Sequence, residues 1–251
     1  MASEAATATK PGTPEEGQHD EHHGPSWLQH HFDTPAQQFD TAKLGMWAFL
    51  AQEILFFSGL FVAYFIFRSW YPAAFSVGSH LLDKEMGAIN TIILLASSLT
   101  AAMAVRSAQI GDRKWTGHYL LLTILFAGGF MVVKYFEYTH KFHVGFLPGE
   151  HFQPTAEGLE EIDAVLASLP HLGLDTAPFH IRSFYGIYFM LTGVHGLHVL
   201  IGMGVLFWIW LRNRRGEFSP EYFTPVDITA LYWHLVDLIW IYLFPLLYLI
   251  D

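Results

Sequence analysis

The sequence predicts an all-α membrane protein, a polytopic bundle of five transmembrane helices. Hydrophobic residues make up 52% of the 251 residues and charged residues only 14%. A soluble domain usually carries about a quarter of charged residues. The apolar residues are concentrated in five long runs that lack the alternation of a β-strand. Because only helices and closed barrels satisfy their backbone hydrogen bonds in lipid, these runs are predicted to be helices.

The first run extends from Leu44 to about Phe67, which matches the roughly 20 residues that a helix needs to cross a bilayer. The polar residues 1–43 before it are predicted to form a cytoplasmic tail. Trp70 and Tyr71 follow the run, and such aromatic residues favour the membrane–water interface.

Four further runs complete the predicted transmembrane domain, residues 44–251. The last run contains Pro245, which is expected to kink it or to shorten its final turns, because proline removes a backbone donor. The acidic segment 139–183 is long enough that we expect it to have structure of its own or to rest on a partner. The four runs cover about residues 86–104, 119–138, 184–211 and 228–250.

The distribution of Lys and Arg predicts the orientation in the membrane. The tail and the short loops 105–118 and 212–227 would lie on one side and carry eight of these residues, against four on the other side. By the positive-inside rule, the N-terminus is expected to be cytoplasmic and Asp251 external.

Glu53 is the most informative residue, because it lies inside the first apolar run. A carboxylate at that depth costs on the order of 3 kcal/mol on insertion scales. It therefore requires a partner, a proton or a functional reason.

Other ionisable residues lie within or at the ends of the later runs. His195 and His198 are three residues apart, as are His234 and Asp237, so that each pair shares a helix face. Two interpretations remain open: an acid–imidazole network in a common interior, or single hydrogen bonds that only fix the packing. The residues are Glu137, His195, His198, His234 and Asp237.

Four glycines in the fourth run are expected to let another helix approach closely. They are Gly193, Gly196, Gly202 and Gly204.

The sequence contains no complete metal-binding or catalytic motif, and we expect no catalytic residue, metal or cofactor in this chain. The absence of cysteine excludes thiolate zinc sites and iron–sulfur clusters. Glu137 and His140 match the Glu-x-x-His spacing of di-iron bundles, but that site needs two copies and two further glutamates. The net charge of −10 gives no reason to expect a nucleic-acid partner. A histidine cluster before the first run is interpreted as a solvated stretch: His19, His22, His23, His30 and His31.

Six sequence blocks together resemble subunit III of the haem–copper oxidases, the cytochrome c and quinol oxidases. The resemblance covers about residues 44–250 and is closest to the short, five-span bacterial form. The blocks are Glu53-Ile-Leu-Phe-Phe-Ser-Gly59, Asn90-Thr91 followed by Leu94-Leu-Ala-Ser97, Gly111-Asp-Arg-Lys114, Glu137-Tyr138, Tyr185-Gly186 with Thr192-Gly-Val-His-Gly-Leu-His-Val199, and Tyr232-Trp-His-Leu-Val-Asp237 followed by Trp240.

The resemblance implies a subunit of a terminal oxidase that has no redox centre of its own. Haem and copper would lie in partner subunits. This chain would pack against subunit I, in a complex with subunits II and IV, in the bacterial inner membrane. It would bind phospholipid and support proton uptake and turnover lifetime, with Arg68 and the cytoplasmic Lys and Arg residues as candidate headgroup contacts.

The resemblance also assigns roles to the buried polar residues. Glu53 falls on the family's carbodiimide-reactive acid, a reaction that needs a protonated carboxyl in an apolar site. The other positions match the family's interior polar residues, and we expect them to form a structural network and lipid-cleft lining around Glu53. They are Glu137, His195, His198, His234 and Asp237.

Two alternatives remain. The chain could be an accessory subunit of a nitric-oxide reductase or a quinol oxidase of the same family. It could also be an independent transporter that uses Glu53, Glu137 and the histidines as a proton relay. The absence of an inverted repeat argues against the transporter.

Overall fold

A computed structural model describes residues 27–169 and 178–250 of the chain. Five of its helices, α1, α3, α4, α6 and α7, are long and apolar enough to cross a membrane. This confirms the predicted fold class. The helices are α1 (Pro35–Trp70), α2 (Pro72–His80), α3 (Lys84–Gln109), α4 (Arg113–His143), α5 (Ala156–Ser168), α6 (Pro178–Arg215) and α7 (Thr224–Tyr248), with a 3₁₀ turn at Gly149–His151.

Helices α1, α3 and α4 begin before their apolar runs, at polar residues that cap their first turns. The hydroxyl of Thr34 accepts from the backbone N–H of Gln37, and Pro35 occupies the first turn of α1. The helix therefore begins well before Leu44, within the segment predicted as a tail. Asp83 and Asp112 cap α3 and α4 in the same way.

Part of the predicted histidine-rich stretch is visible. His30 and His31 are exposed and lie just before α1. The other members lie outside the described residues: His19, His22 and His23.

The short helix α2 was not predicted from the sequence. Tyr71 ends α1, and Pro72 begins α2 at the position where its missing N–H costs nothing. Most of α2 is buried, and Phe75 packs edge-on against Tyr64 of α1 and Phe184 of α6. This helix therefore fills the space between α1 and α6 at one end of the bundle.

We call that end the α5 end, because α5 lies there as well, and we call the end that carries Pro35 the opposite end. The expectation that the long acidic segment has structure of its own is confirmed for its described residues, which include α5. A Cβ added at Gly158 would lie 2.4 Å from the carbonyl oxygen of Val144, so the backbone of α5 packs directly on the end of α4.

In the bundle, α3 lies against α4 and α7, and α6 lies against α4 and α7. Helix α1 is outermost, and its buried residues form a single stripe. Helix α7 continues through Pro245 and ends at Tyr248, before the predicted end at Ile250. The stripe of α1 consists of Met46, Leu50, Phe57 and Tyr64.

Among the residues that the structure describes, the close approach predicted at four glycines of α6 occurs at one of them. A Cβ at Gly202 would lie 2.8 Å from the ring of Trp233 on α7. At Gly193, Gly196 and Gly204 the added atom would meet nothing within 4 Å. The prediction was wrong for these three glycines within this chain. The spacing of glycines shows which face of a helix lacks side chains, but it does not show which neighbour packs there.

Candidate functional site

Glu53 faces the inside of the protein. It lies between Leu50 and Phe57 on the buried stripe of α1, three residues after the first and four before the second. Positions with this spacing share one helix face. The carboxyl group therefore points toward α6 and not into bulk lipid.

The partner of Glu53 is His198 on α6. The Nε2 atom of His198 lies 3.0 Å from Oε2 of Glu53, and both side chains are less than one-fifth exposed, 16% and 12% respectively. The ring of Phe57 packs edge-on against the imidazole, and the hydroxyl of Tyr232 donates to the carbonyl of His198. Apolar and aromatic side chains thus enclose the acid–base contact between Glu53 and His198.

The hydrogen bond of Nδ1 of His198 indicates how the Glu53–His198 pair is protonated. Nδ1 lies 2.8 Å from the carbonyl oxygen of Val194, and a carbonyl can only accept, so Nδ1 carries hydrogen. The contact between Nε2 and Glu53 then requires one proton. Either a carboxylic acid donates to neutral imidazole, or imidazolium donates to carboxylate. The pair therefore shares one proton and is neutral in both forms.

A second polar cluster surrounds Glu137, near the α5 end. Lys134, one turn earlier on α4, places Nζ 2.8 Å from Oε2 of Glu137. The hydroxyls of Tyr188 and Tyr248 donate to Oε1 at 2.8 and 2.5 Å. We call these four residues the Lys134 cluster; it joins α4, α6 and α7.

Sequence reasoning missed Lys134, although a signal was present. Its spacing of three from Glu137, within an apolar run, is the spacing of a helical ion pair. The ammonium also contacts the hydroxyls of Tyr188 and Tyr248, at 3.2 and 2.9 Å, and lies 5.1 Å from the ring centre of Trp240. All three N–H donors of Lys134 therefore have a partner.

A third cluster lies between α3 and α7. Ser97 donates to the backbone carbonyl of Leu94 at 2.9 Å, lies 3.5 Å from the carboxyl of Asp237 and accepts from the indole N–H of Trp233 at 2.9 Å. The neighbouring Ser98 contacts Nδ1 of His234 at 2.8 Å. Ser98 also interacts with Asp237, so His234 and Asp237 share a serine partner on α3.

His195 lies in the core between aromatic rings. Its ring centre is 5.6 Å from that of Phe130 and 5.3 Å from that of Trp240. Neither ring nitrogen has a hydrogen-bond partner among the described residues. His195 therefore faces α4 and α7, whereas His198 faces α1.

The predicted polar residues are thus divided among separate places and do not surround Glu53 together. The reason is that a spacing of three turns a side chain by about 60° around a helix. On α6, with neighbours on several sides, this is enough to send two histidines to different partners. Glu137 and His140 are separated in the same way. Glu137 lies in the core, and His140 is exposed beside Glu161 on α5.

A largely apolar cavity of about 580 Å³ lies between α4 and α6. The polar side chains in its lining include those of Lys134, Tyr138 and Thr192, and the hydroxyls of Tyr138 and Thr192 lie 2.6 Å apart. Gly193 and Gly196 lie on the same wall, where their lack of a side chain leaves the space open.

Comparison with known proteins identifies the family. The model of the family cytochrome c oxidase subunit III matches residues 29–146 and 162–251, which include all five membrane-spanning helices. The chain belongs to this family. It is therefore an oxidase subunit III by descent and a multi-pass membrane protein.

Individual relatives are consistent with this assignment. Cytochrome c oxidase subunit 3 of Corynebacterium diphtheriae is 32% identical over 217 residues, covering 83% of this chain and 88% of the relative. Quinol oxidase subunit 3 of Bacillus subtilis is 28% identical over 208 residues, covering 83% and 86%. Cytochrome c oxidase subunit 3 of Synechocystis is 32% identical over 216 residues, covering 84% and 76%.

Proposed function

We propose that this chain is the non-catalytic subunit III of a respiratory haem–copper oxidase, in which it stabilises subunit I and supports proton uptake. The observation that carries the proposal is the Glu53–His198 pair, an acid and a base that share one proton inside membrane-spanning helices. The family supplies the setting, in which electron transfer and oxygen reduction take place in partner subunits.

The pair suits a role in proton supply because its shared proton can lie on the acid or on the base while the pair stays neutral. The apolar rings of Phe56 and Phe57 beside His198 exclude competing polar partners. Since α1 is the outermost helix, the pair also lies close to a surface that subunit I can cover. In this role, Glu53 and His198 hold a proton and do not react with oxygen.

Phospholipid binding forms part of the proposal. The cavity between α4 and α6 is apolar, lies within membrane-spanning helices and has dimensions suited to an acyl chain. A lipid acyl chain bound in this cavity would contact Gly193 and Gly196 and would end near the hydroxyls of Tyr138 and Thr192.

We further propose a bacterial inner-membrane location with a cytoplasmic N-terminus, so that the α5 end is external. The excess of Lys and Arg at the opposite end supports this orientation. Subunits II and IV complete the complex, and the haem spectrum of the purified assembly distinguishes a cytochrome c oxidase, a quinol oxidase and a nitric-oxide reductase.

Carbodiimide labelling tests the role of Glu53. A protonated carboxyl in an apolar site should react near neutral pH, and mass spectrometry should locate the adduct on Glu53. The Glu53→Gln protein should assemble without this adduct, because the amide can donate to neutral Nε2 of His198. Failure of Glu53→Gln to assemble would instead show an essential carboxylate–imidazolium ion pair.

The double variant Lys134→Met/Glu137→Gln provides the matched control for labelling. It removes another buried carboxyl together with the ammonium that pairs with it, so labelling at Glu53 should persist in this variant. Loss of the label in both variants would mean that it does not report on Glu53.

Removal of the chain tests its role in the complex. The depleted oxidase should keep its haem spectrum but lose activity progressively during turnover, and the loss should be slower when the chain is added back. Unchanged turnover and lifetime after depletion would contradict the proposal. Proton uptake by liposomes that contain only this chain would favour the independent transporter.

A further inference from the structure

Four potential metal ligands converge at the α5 end, and the first of them lies one turn beyond the Lys134 cluster on α4. His140 and His143 lie one turn apart at the end of α4, and Glu157 and Glu161 lie one turn apart at the start of α5. The spacings of three and four place each pair on one face of its helix. The two faces oppose each other.

The shortest donor distances between the two helices are close to those of a metal site, and three of the four residues lie within reach of one ion. Nε2 of His140 lies 3.4 Å from Oε1 of Glu161, and Nδ1 of His143 lies 3.5 Å from Oε2 of Glu157. One donor atom each from His140, Glu157 and Glu161 fits within a mutual distance of 4.8 Å. Donors bound at about 2.0–2.2 Å around a tetrahedral zinc ion are separated by roughly 3.4 Å.

The backbone holds these side chains in place. Gly158 lies between the two glutamates in sequence, and its contact with the carbonyl of Val144 allows no Cβ. Gly145 adopts a positive φ of 78° in the turn that follows α4, with its backbone close to the carbonyl of Gln153. The rings of Phe146 and Phe152 stack across the same loop. The orientation of α5 on α4 therefore does not depend on the ligands themselves.

The local charge favours a cation. Glu157 and Glu161 are accompanied in the same segment by further acidic residues, whose carboxylates add negative charge. Lys141 is a nearby cation; its ammonium donates to the carbonyl of Leu81 at 2.7 Å and lines a cavity of about 420 Å³ together with His140 and Glu161. The other acidic residues in the described part of the segment are Glu150, Glu160 and Asp163.

We propose that His140, Glu157 and Glu161, with His143 as the fourth donor, bind a divalent metal ion of the zinc class. Two imidazole nitrogens and two carboxylate oxygens are a donor set that suits zinc and neighbouring transition metals. The ion would join α5 to the end of α4. The inference is independent of the proposed oxidase role and departs from the sequence-based expectation that this chain binds no metal.

Sequence inspection could not assemble this site. It placed His140 with Glu137 in an incomplete di-iron motif, but the fold turns Glu137 into the core and His140 toward α5. The two glutamates lie beyond a loop, so their distance from His140 depends on how α5 packs.

Co²⁺ and Zn²⁺ binding to the full-length protein in detergent provides the test. The histidines before α1 could bind metal independently, so they are first replaced by alanine in the full chain. This protein should bind one Co²⁺ with the visible absorption of a tetrahedral site, and Zn²⁺ should displace it. The replaced residues are His19, His22, His23, His30 and His31.

In that background, His140→Ala and Glu161→Gln should each weaken Zn²⁺ binding at least about tenfold, since even second-shell changes cost 10- to 100-fold. His118→Ala, an exposed histidine at the opposite end, is the matched control and should change nothing. Circular dichroism verifies that all variants keep their helices.

Two results would overturn the proposal. The protein could show no stoichiometric Co²⁺ binding, which would leave only His–Glu ion pairs at this position. Alternatively, His140→Ala and Glu161→Gln could bind Zn²⁺ as tightly as the background protein, which would place the ion elsewhere.

Discussion

At the scale of single residues, the buried charges are stabilised by partners on their own helix and on neighbouring helices. Lys134 is the clearest case, because its ammonium has three hydrogen-bond acceptors in Glu137, Tyr188 and Tyr248. Removing one member of a buried ion pair is costly because it leaves the other charge uncompensated. The Lys134 cluster should therefore stabilise the protein only as a whole.

We expect Lys134→Met to destabilise the protein by about 3–5 kcal/mol, because Glu137 would remain buried without a cation. The double variant Lys134→Met/Glu137→Gln should recover a large part of this loss, since the amide carries no charge. The free energies of unfolding of the single and double variants in detergent provide the measurement. Additive losses would show that the two residues do not interact.

At the scale of elements, helix α6 contacts three other helices through different residues. It contacts α1 through His198, α4 and α7 through His195, and α7 again through Gly202. Each face of this helix is therefore adapted to a different neighbour. The close contact at Gly202 permits a comparison with the open position Gly204 on the same helix.

We expect Gly202→Ala to destabilise the protein by about 1–3 kcal/mol, because its Cβ would overlap the ring of Trp233. Gly204→Ala should be neutral or slightly stabilising, since its Cβ meets no atom and alanine favours a helix. Thermal denaturation of the two variants side by side provides the measurement. Equal effects would contradict the helix contact described here.

The block Gly111-Asp-Arg-Lys114 also connects helices. Gly111 has a positive φ of 78°, and Asp112 caps α4, so that the two residues form the turn from α3 to α4. The guanidinium of Arg113 donates to the backbone carbonyls of Asn213 and Arg214 at the end of α6. This block, which contributed to the family resemblance, thus joins three helices at the opposite end.

At the scale of the whole molecule, helix α1 differs from the other membrane-spanning helices in its position. Helix α1 lies at the edge of the bundle, and most of its surface faces outward. The Glu53–His198 contact joins this outer helix to the bundle and is therefore both a structural connection and the proposed proton-sharing site.

The absence of cysteine allows a direct test of orientation. Single cysteines introduced at Ser168, at the α5 end, and at Glu221, at the opposite end, lie at exposed positions. If the N-terminus is cytoplasmic, a membrane-impermeant maleimide added to intact cells should label Ser168→Cys only. Both variants should be labelled after the cells are opened. Labelling of Glu221→Cys alone in intact cells would reverse the topology.

The sequence by itself determined the fold class and the number of spans, and it singled out Glu53 as an acid within the first span. These follow from local properties: run length, hydropathy and the cost of a carboxylate in hydrocarbon. Helix ends were less well determined, because caps such as Thr34 extend a helix beyond its apolar run.

Only the tertiary structure decided which polar residues meet. It paired Glu53 with His198, separated His195 from His198, and brought His140 to Glu161 across a loop. These contacts depend on how each helix is rotated against its neighbours. Spacing along the chain specifies the face of a helix, but the packing of large side chains, such as Trp233 against Gly202, specifies what that face touches.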